Sequence, residues 1–210
     1  TLYRLLDEFQ PELAGLGVEA ALQQGQPPGF FQIKPLDKLQ TRAAYSKENY
    51  DLENNQGDSF ESGFNSRLAT FSRGQIGDFF SATLSPELRI NEKGSVNARV
   101  LEGFAKFTQY NVEAGGGRES LWWGPGFNGS MLLSTNGRPF DLIKAGAAEQ
   151  FTLPWIFEYL GPMKLTYFLG QLGGGGEFPH TKLTGLRLNL TPTSFLELGF
   201  SRVVQFNGEG

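Results

Sequence analysis

Apolar and polar side chains alternate strictly along the segment 79–91. One side of an extended chain here carries Phe80, Ala82, Leu84, Leu88 and Ile90, and the other carries Ser81, Thr83, Ser85, Glu87, Arg89 and Asn91. This period of two predicts a β-strand with one apolar face and one fully polar face. Pro86 keeps this alternation but has no backbone N–H to donate to a neighbouring strand, so it predicts a bulge or an edge position.

The length of this run suits a lipid bilayer better than a soluble sheet. A strand of about 11 residues rises about 3.4 Å per residue, so at a tilt near 45° it spans roughly 26 Å. The apolar band of a transmembrane strand is about 25 Å tall, whereas strands in soluble sheets average about 5 to 6 residues. The run therefore predicts a transmembrane strand.

Similar but less regular runs predict further antiparallel strands, about eight to ten in all. They lie at 36–46, 64–72, 101–108, 163–172, 183–190 and 195–206. In the run at 101–108, the alternation places Leu101 on the face opposite to Glu102. The first connection, Lys47 to Phe60, is long and acidic and the second, Arg73 to Asp78, is a tight turn, an alternation typical of bacterial barrels.

The two ends of the chain differ from its middle. Apolar residues at helical spacing and then Pro27-Pro28-Gly29 predict a helical segment and connector over 1–31, followed by barrel strands over 32–210. The last residues follow a strand as a turn, without a terminal aromatic residue. Open sheet edges are prohibitive in hydrocarbon, so we expect the rest of the barrel, or another chain, to close it.

Composition narrows the class of protein. The 28 glycines and 19 phenylalanines favour β structure, and a net charge of −4 argues against a nucleic-acid partner. The absence of cysteine excludes disulfides and thiolate sites, and the single histidine, His180, excludes a two-histidine metal motif. The sequence contains no run of about 18 apolar residues, so it does not predict a transmembrane helix.

Two adjacent tryptophans stand directly before a Gly-Pro-Gly turn in the segment 118–139. Neighbouring side chains of an extended chain point to opposite faces, so two bulky apolar surfaces must be accommodated at one place. The WWGPG run, a small-residue and Leu/Ser-rich stretch and the turn Asn136-Gly137-Arg138-Pro139 together resemble the signature of the Wzi family. The motif residues are Arg118, Trp122, Trp123, Gly124, Pro125, Gly126, Asn136, Arg138 and Pro139.

The resemblance implies an outer-membrane β-barrel of about 18 strands, of which these residues are the N-terminal part, with helices on the periplasmic side. It also implies a protein without a catalytic centre or cofactor that binds or organises capsular or other exopolysaccharide at the cell surface. Outer-membrane lipid is then the second partner. For the tryptophan motif we expect a structural role over direct sugar contact, with Arg118, Glu119 and Arg138 pairing with one another in the barrel interior.

Two loops are the candidates for contact with polysaccharide. The first carries Tyr50, Asp51, Glu53, Asn54, Asn55 and Asp58. Its oxygen-bearing side chains could bind calcium, but their spacing is not that of an EF-hand, so a solvated acidic loop is the prediction. The second, Gly173 to His180, is rich in glycine.

Two other functions remain open at this stage. A porin-like channel for diffusion or polysaccharide export would use the same strands around an open lumen. A soluble β-sandwich or glycan-processing enzyme would need shorter strands. The run 124–129 formally matches a dinucleotide-binding motif but lacks the preceding buried strand and following helix that such a site requires.

Overall fold

A single antiparallel sheet dominates the computed structural model, which describes residues 30–126, 128–173 and 181–206. Its nine strands, in spatial order, are β1 (Phe31–Ser46), β4 (Gly63–Ile76), β5 (Phe80–Asn91), β6 (Val96–Gln109), β7 (Val112–Glu119), β8 (Phe140–Ala147), β9 (Met163–Gln171), β10 (Lys182–Thr193) and β11 (Leu196–Phe206). A hairpin of β2 (Tyr50–Asp51) and β3 (Ser59–Phe60) lies between β1 and β4, and a 3-10 helix spans Trp155–Leu160. The prediction of a mainly antiparallel β protein is confirmed.

Every strand of the large sheet pairs with the next one along the sheet, and β1 and β11 form its two edges. Within the described residues these edges do not pair with each other, so the sheet is open. The predicted helical segment lies outside the described residues except for Phe30 and Phe31, and Phe31 begins β1. The glycine-rich loop predicted at Gly173 to His180 also lies outside them, apart from Gly173 itself. The described residues contain no helix long and apolar enough to cross a membrane.

The pairing of β5 with β6 contains an irregularity opposite Pro86, where Leu101 of β6 is the extra residue. The register between β5 and β6 shifts between Ser85 and Pro86, which is a β-bulge. At the bulge, Leu101 is 6% exposed and lines the same cavity as Glu102. The expectation that these two side chains lie on opposite faces was therefore wrong, because the extra residue of a bulge breaks the alternation.

The two faces of the sheet differ in chemistry. The outer face, defined by Leu84, Ile143 and Leu186, exposes large apolar side chains on successive strands, with Leu84 at 47% and Ile143 at 61%. The inner face carries Glu87 and Phe168, which are both buried. Water-exposed side chains in a soluble protein are mostly polar, so this arrangement is reversed relative to a soluble sheet.

Connections alternate between the two ends of the sheet. One end, called the loop end, holds the connections 47–62 and 92–95 and, among the described residues, 120–126, 128–139, 172–173 and 181. The other, called the turn end, holds the connections 77–79, 110–111, 148–162 and 194–195. Two of the loop-end connections, 47–62 and 120–139, fold onto the inner face, where the candidate site lies.

Candidate functional site

A cluster of charged side chains, called the ionic cluster, occupies the inner face of β1, β4, β5 and β6. Its members are Arg42, Asp58, Arg67, Glu87, Arg89 and Arg99. Nε of Arg67 lies 2.5 Å from Glu87, Nε of Arg99 lies 2.9 Å from it, and Arg89 pairs with it as well. The side chain of Glu87 has no solvent exposure, so three guanidinium groups compensate one buried carboxylate.

Asp58 joins the first loop to this cluster. Its carboxylate lies 2.8 Å from Nη1 of Arg67 and 3.6 Å from Nη1 of Arg42, and it also pairs with Arg89. Asp58 is only 3% exposed, so the prediction of a solvated acidic loop was wrong for this residue. Local sequence could not reveal its burial, because its partners come from three strands that pair only in the folded sheet.

The other predicted residues of this loop have different environments. Tyr50, Asp51 and Glu53 are exposed at the loop end. Asn55 lies next to the ionic cluster, since its Nδ2 donates to Asp58 over 3.1 Å. Throughout the described ranges, no group of three or more Asp, Glu or His side chains comes together in a way that could hold a metal ion.

The first loop is bonded to the tryptophan-motif loop. The backbone N–H of Asn54 donates to Oδ1 of Asn136, and Nδ2 of Asn54 donates to the carbonyl of Asn128, both over 2.6 Å. The N–H of Gln56 donates to the carbonyl of Thr135, also over 2.6 Å. These contacts join segments that are far apart in sequence, so the two loops form one structure on the inner face.

The two tryptophans of the motif have different environments. Trp123 is 7% exposed and packs edge-on against Phe168, with ring centroids 5.1 Å apart. Leu121, Leu142 and Leu183 complete this apolar core on the inner face. Hydrophobic burial of this kind fixes the loop against β8, β9 and β10.

Trp122 is only partly buried and closes the turn that follows it. Its indole N–H donates to the carbonyl of Gly126 over 3.1 Å, across Gly124 and Pro125. A Cβ atom at Gly124 would lie 2.7 Å from Oγ of Ser130, so the turn brings its two sides into close contact there. These contacts give the motif a place in the architecture, and its structural role over direct sugar contact stays a prediction.

The charged residues around the motif do not pair with one another as expected. Arg118 donates to Asp141 on β8 through Nε and Nη2, over 2.9 and 2.8 Å. Glu119 accepts from Lys144, also on β8, over 2.7 Å. The predicted mutual pairing of Arg118 and Glu119 with each other and with Arg138 was therefore wrong, because the register of β7 and β8 brings the partners of Arg118 and Glu119 from the neighbouring strand.

Gly185 makes room for the aromatic core. A Cβ atom there would lie against the ring of Phe168 and 2.9 Å from Cη2 of Trp123. We expect Gly185→Ala to lower the free energy of unfolding by about 1–3 kcal/mol, because it overpacks this contact. Urea unfolding in lipid vesicles measures the change.

Gly199, on the adjacent strand β11, provides the matched control. Its Cβ would have no neighbour closer than Nη2 of Arg187 at 3.9 Å, which is ordinary contact. Gly199→Ala should leave the stability within about 0.5 kcal/mol of the original. Equal losses of stability in Gly185→Ala and Gly199→Ala would contradict overpacking against Phe168 and Trp123 as the cause.

A polar cavity, called the loop-end cavity, lies between the first loop and strands β4, β5 and β6. Its volume is about 410 Å³, within the usual range for small-ligand sites. Its walls include Arg67, Arg89, Arg99 and Arg138, together with Phe60 and several serine and asparagine side chains. Arg138, which the sequence pattern singled out, therefore faces this cavity with members of the ionic cluster.

Comparison with known proteins identifies relatives of this architecture. A protein of the capsule region of Klebsiella pneumoniae, described as an uncharacterized 55.8 kDa protein in the cps region, is 34% identical over 123 residues. That match covers 58% of this chain and 24% of the relative. The chain thus spans about a quarter of that relative's length.

A solved structure from Escherichia coli has the same fold. It is Wzi, described as an outer-membrane protein involved in group 1 capsule assembly and as a carbohydrate-binding β-barrel. The superposition has a TM-score of 0.66 at 21% identity and covers 92% of this chain and 42% of that one. The open nine-stranded sheet is therefore similar to part of a β-barrel.

Family comparison agrees with the structural match. The sequence pattern of the family described as capsule assembly protein Wzi matches residues 37–210, which include every strand of the large sheet apart from the start of β1. Because this match covers most of the chain, the chain belongs to the capsule assembly protein Wzi family.

Proposed function

We propose that this chain is part of an outer-membrane β-barrel that binds or organises capsular or other exopolysaccharide at the cell surface, without catalysing a reaction. The observation that carries this proposal is the joined pair of loops at one end of the sheet. Family membership and the fold shared with a carbohydrate-binding β-barrel support it. Polysaccharide is the proposed partner of the loop end, and lipid the proposed partner of the outer face.

The outer face supports the membrane part of the proposal. Exposed leucine, isoleucine, tyrosine and phenylalanine side chains recur on β5, β6 and β8 to β11, for example Leu84, Ile143, Tyr167 and Phe200. Such a band is stable against hydrocarbon and unfavourable against water. Closure of the barrel by the remainder of the same protein, or by another chain, would satisfy the open edges of β1 and β11.

The inner face favours binding over an open channel. The loops 47–62 and 120–139 are bonded to each other through Asn54 and Gln56 and to the sheet through Asp58 and Trp123. They fill space that a porin-like lumen would leave to water. A planar-bilayer recording of the whole protein with steady conductance would instead support the channel alternative.

Tyr50 is the residue by which we test polysaccharide binding at the loop end. It is 57% exposed at the start of the hairpin, where its ring is free to stack on a sugar. Tyr50→Ala should weaken binding of the purified surface polysaccharide of the source cells roughly five- to tenfold, as removal of an aromatic contact residue does. Binding is measured by calorimetry on the detergent-solubilised protein.

Tyr110 supplies the matched control for this experiment. It is 92% exposed but lies at the turn end, on the opposite side of the proposed membrane. Tyr110→Ala should leave the affinity unchanged. A protein that binds no surface polysaccharide, or one that loses equal affinity in both variants, would contradict polysaccharide binding at the loop end.

A further inference from the structure

We propose that the loop-end cavity is a binding site for an acidic sugar, whose carboxylate pairs with Arg99 and Arg138. The inference rests on the proposed function and deepens it, because it names the chemical class of saccharide that the protein recognises. Three observations carry it: the local charge, an unpaired arginine nitrogen and the composition of the walls.

The charge of the cavity is opposite to that of the chain. Four arginines and two carboxylates, Asp58 and Glu61, line it, which leaves an excess of two positive charges. Glu87 lies behind Arg67, Arg89 and Arg99 and reduces the excess to one. The chain as a whole carries −4, so the cavity concentrates positive charge at one place on an acidic protein. Such a local field attracts anions.

Arg99 has donor capacity that the protein does not use. Its Nε donates to Glu87 over 2.9 Å. Its Nη2 is buried and has no hydrogen-bond partner among residues 30–126, 128–173 and 181–206. A buried donor without a partner is unfavourable, and because Arg99 lines the cavity, a bound carboxylate would satisfy this donor once the guanidinium group turns toward it. Arg138 lines the same cavity as Arg99, so their like charges repel each other, and an anion between them would relieve that repulsion.

The remaining walls suit a sugar better than a bare ion. The exposed amide of Asn97 provides a donor and an acceptor for hydroxyl groups, whereas the amides of Asn65 and Asn91 already bond to Glu61 and to backbone groups. Phe60 provides an aromatic ring, and aromatic rings stack on the faces of sugars. A simple phosphate or sulfate ion would pair with the arginines alone and would not contact Asn97 or Phe60.

Two substitutions test the site without depending on each other. Arg99→Gln removes the charge that we assign to carboxylate binding. Asn97→Asp retains every arginine and places a negative charge on an exposed wall residue, so it opposes an acidic ligand even if Arg99→Gln perturbs folding. Asn97→Ala controls for loss of the amide alone, and Arg187→Gln removes an inner-face arginine outside the cavity.

The probes are an oligosaccharide of glucuronic acid and the same oligosaccharide after carboxyl reduction to glucose, measured by calorimetry on the whole protein in detergent. We expect the acidic form to bind about tenfold more tightly, with a preference that weakens as salt increases. Arg99→Gln and Asn97→Asp should abolish the preference, while Asn97→Ala and Arg187→Gln should retain it.

Other outcomes overturn the inference in distinguishable ways. Equal binding of the two oligosaccharides would leave the proposed carbohydrate function standing and remove the acidic site. Binding of inorganic phosphate without binding of the acidic oligosaccharide would identify a simple anion site instead. Failure of both oligosaccharides to bind would also overturn it, and the experiment with the native polysaccharide and Tyr50→Ala would then decide the proposed function separately.

Discussion

Glu87→Gln is expected to lower the free energy of unfolding by about 3–5 kcal/mol, the usual cost of breaking a buried ion pair from one side. Glutamine has nearly the same shape as glutamate, so the packing volume is retained and the charge is lost. Arg67, Arg89 and Arg99 would then face one another with only Asp58 to compensate them. Urea unfolding of the protein in lipid vesicles measures the loss.

Asp141→Asn is the matched control for this experiment. Asp141 also pairs with an arginine, Arg118, over 2.8 Å, but it is the second residue of β8, beside the loop end and the proposed membrane interface, and its side chain is 65% exposed. Solvent-exposed pairs contribute about 0–1 kcal/mol, so this variant should lose at most that amount. Equal losses in Glu87→Gln and Asp141→Asn would mean that Glu87 is solvated in the protein and that the ionic cluster does not hold the inner face.

Leu84→Arg should destabilise the protein by about 2–4 kcal/mol in a bilayer, because it places a charge in the middle of the proposed lipid-facing band. Leu84 is already 47% exposed and lies near the centre of β5. In a soluble protein, the same substitution at so exposed a leucine would usually change stability by less than about 0.5 kcal/mol. The magnitude therefore separates lipid from water as the neighbour of this face.

Val96→Arg tests whether the effect depends on depth in the membrane. Val96 lies on the same face as Leu84 but at the first residue of β6, next to the loop end, and it is 63% exposed. Near a membrane interface, arginine costs about 0–1 kcal/mol. Reversible unfolding in vesicles compares the two variants, and similar values for Val96→Arg and Leu84→Arg would contradict a membrane-spanning orientation of β5.

The strands with alternating side chains were predictable from sequence because one of their faces is apolar throughout. The segment 79–91 predicted β5 nearly to the residue, and Pro86 predicted a bulge, which the structure places on the partner strand β6 at Leu101. Strand β7, in contrast, was missed: it contains Gly115-Gly116-Gly117, which have no side chains and therefore no hydrophobic period. A Cβ at Gly117, whose φ is +146°, would lie 2.8 Å from Cα of Phe104, so close approach of β6 takes the place of the missing pattern.

The candidate site was only partly predictable for a different reason. The sequence singled out Trp123, Asn136 and Arg138. The structure places Asn136 at the contact between the two loops, Arg138 in the cavity beside it, and Trp123 in the apolar core that holds the second loop against the sheet. It could not indicate that Asp58 meets Arg67 and its neighbours, because such contacts depend on which strands pair and in what register. From sequence alone, arginines on alternating strands are equally consistent with solvated and with buried side chains, because the sequence does not reveal the loop that covers them.

In the proposed function, lipid covers the outer face of the sheet. The chain has no cysteine, so single cysteines carrying a nitroxide label can be introduced along β5 at Ser81, Ala82, Thr83, Leu84 and Leu88. Paramagnetic resonance of the whole protein in bilayers then compares collision of each label with oxygen, which concentrates in lipid, and with a water-soluble nickel complex. If lipid covers the outer face, we expect high oxygen and low nickel accessibility at Ala82, Leu84 and Leu88. Ser81 and Thr83 lie on the other face and should show low oxygen accessibility. Nickel accessibility at Ala82, Leu84 and Leu88 as high as in free solution, or burial of all three from both reagents, would contradict lipid contact at the outer face.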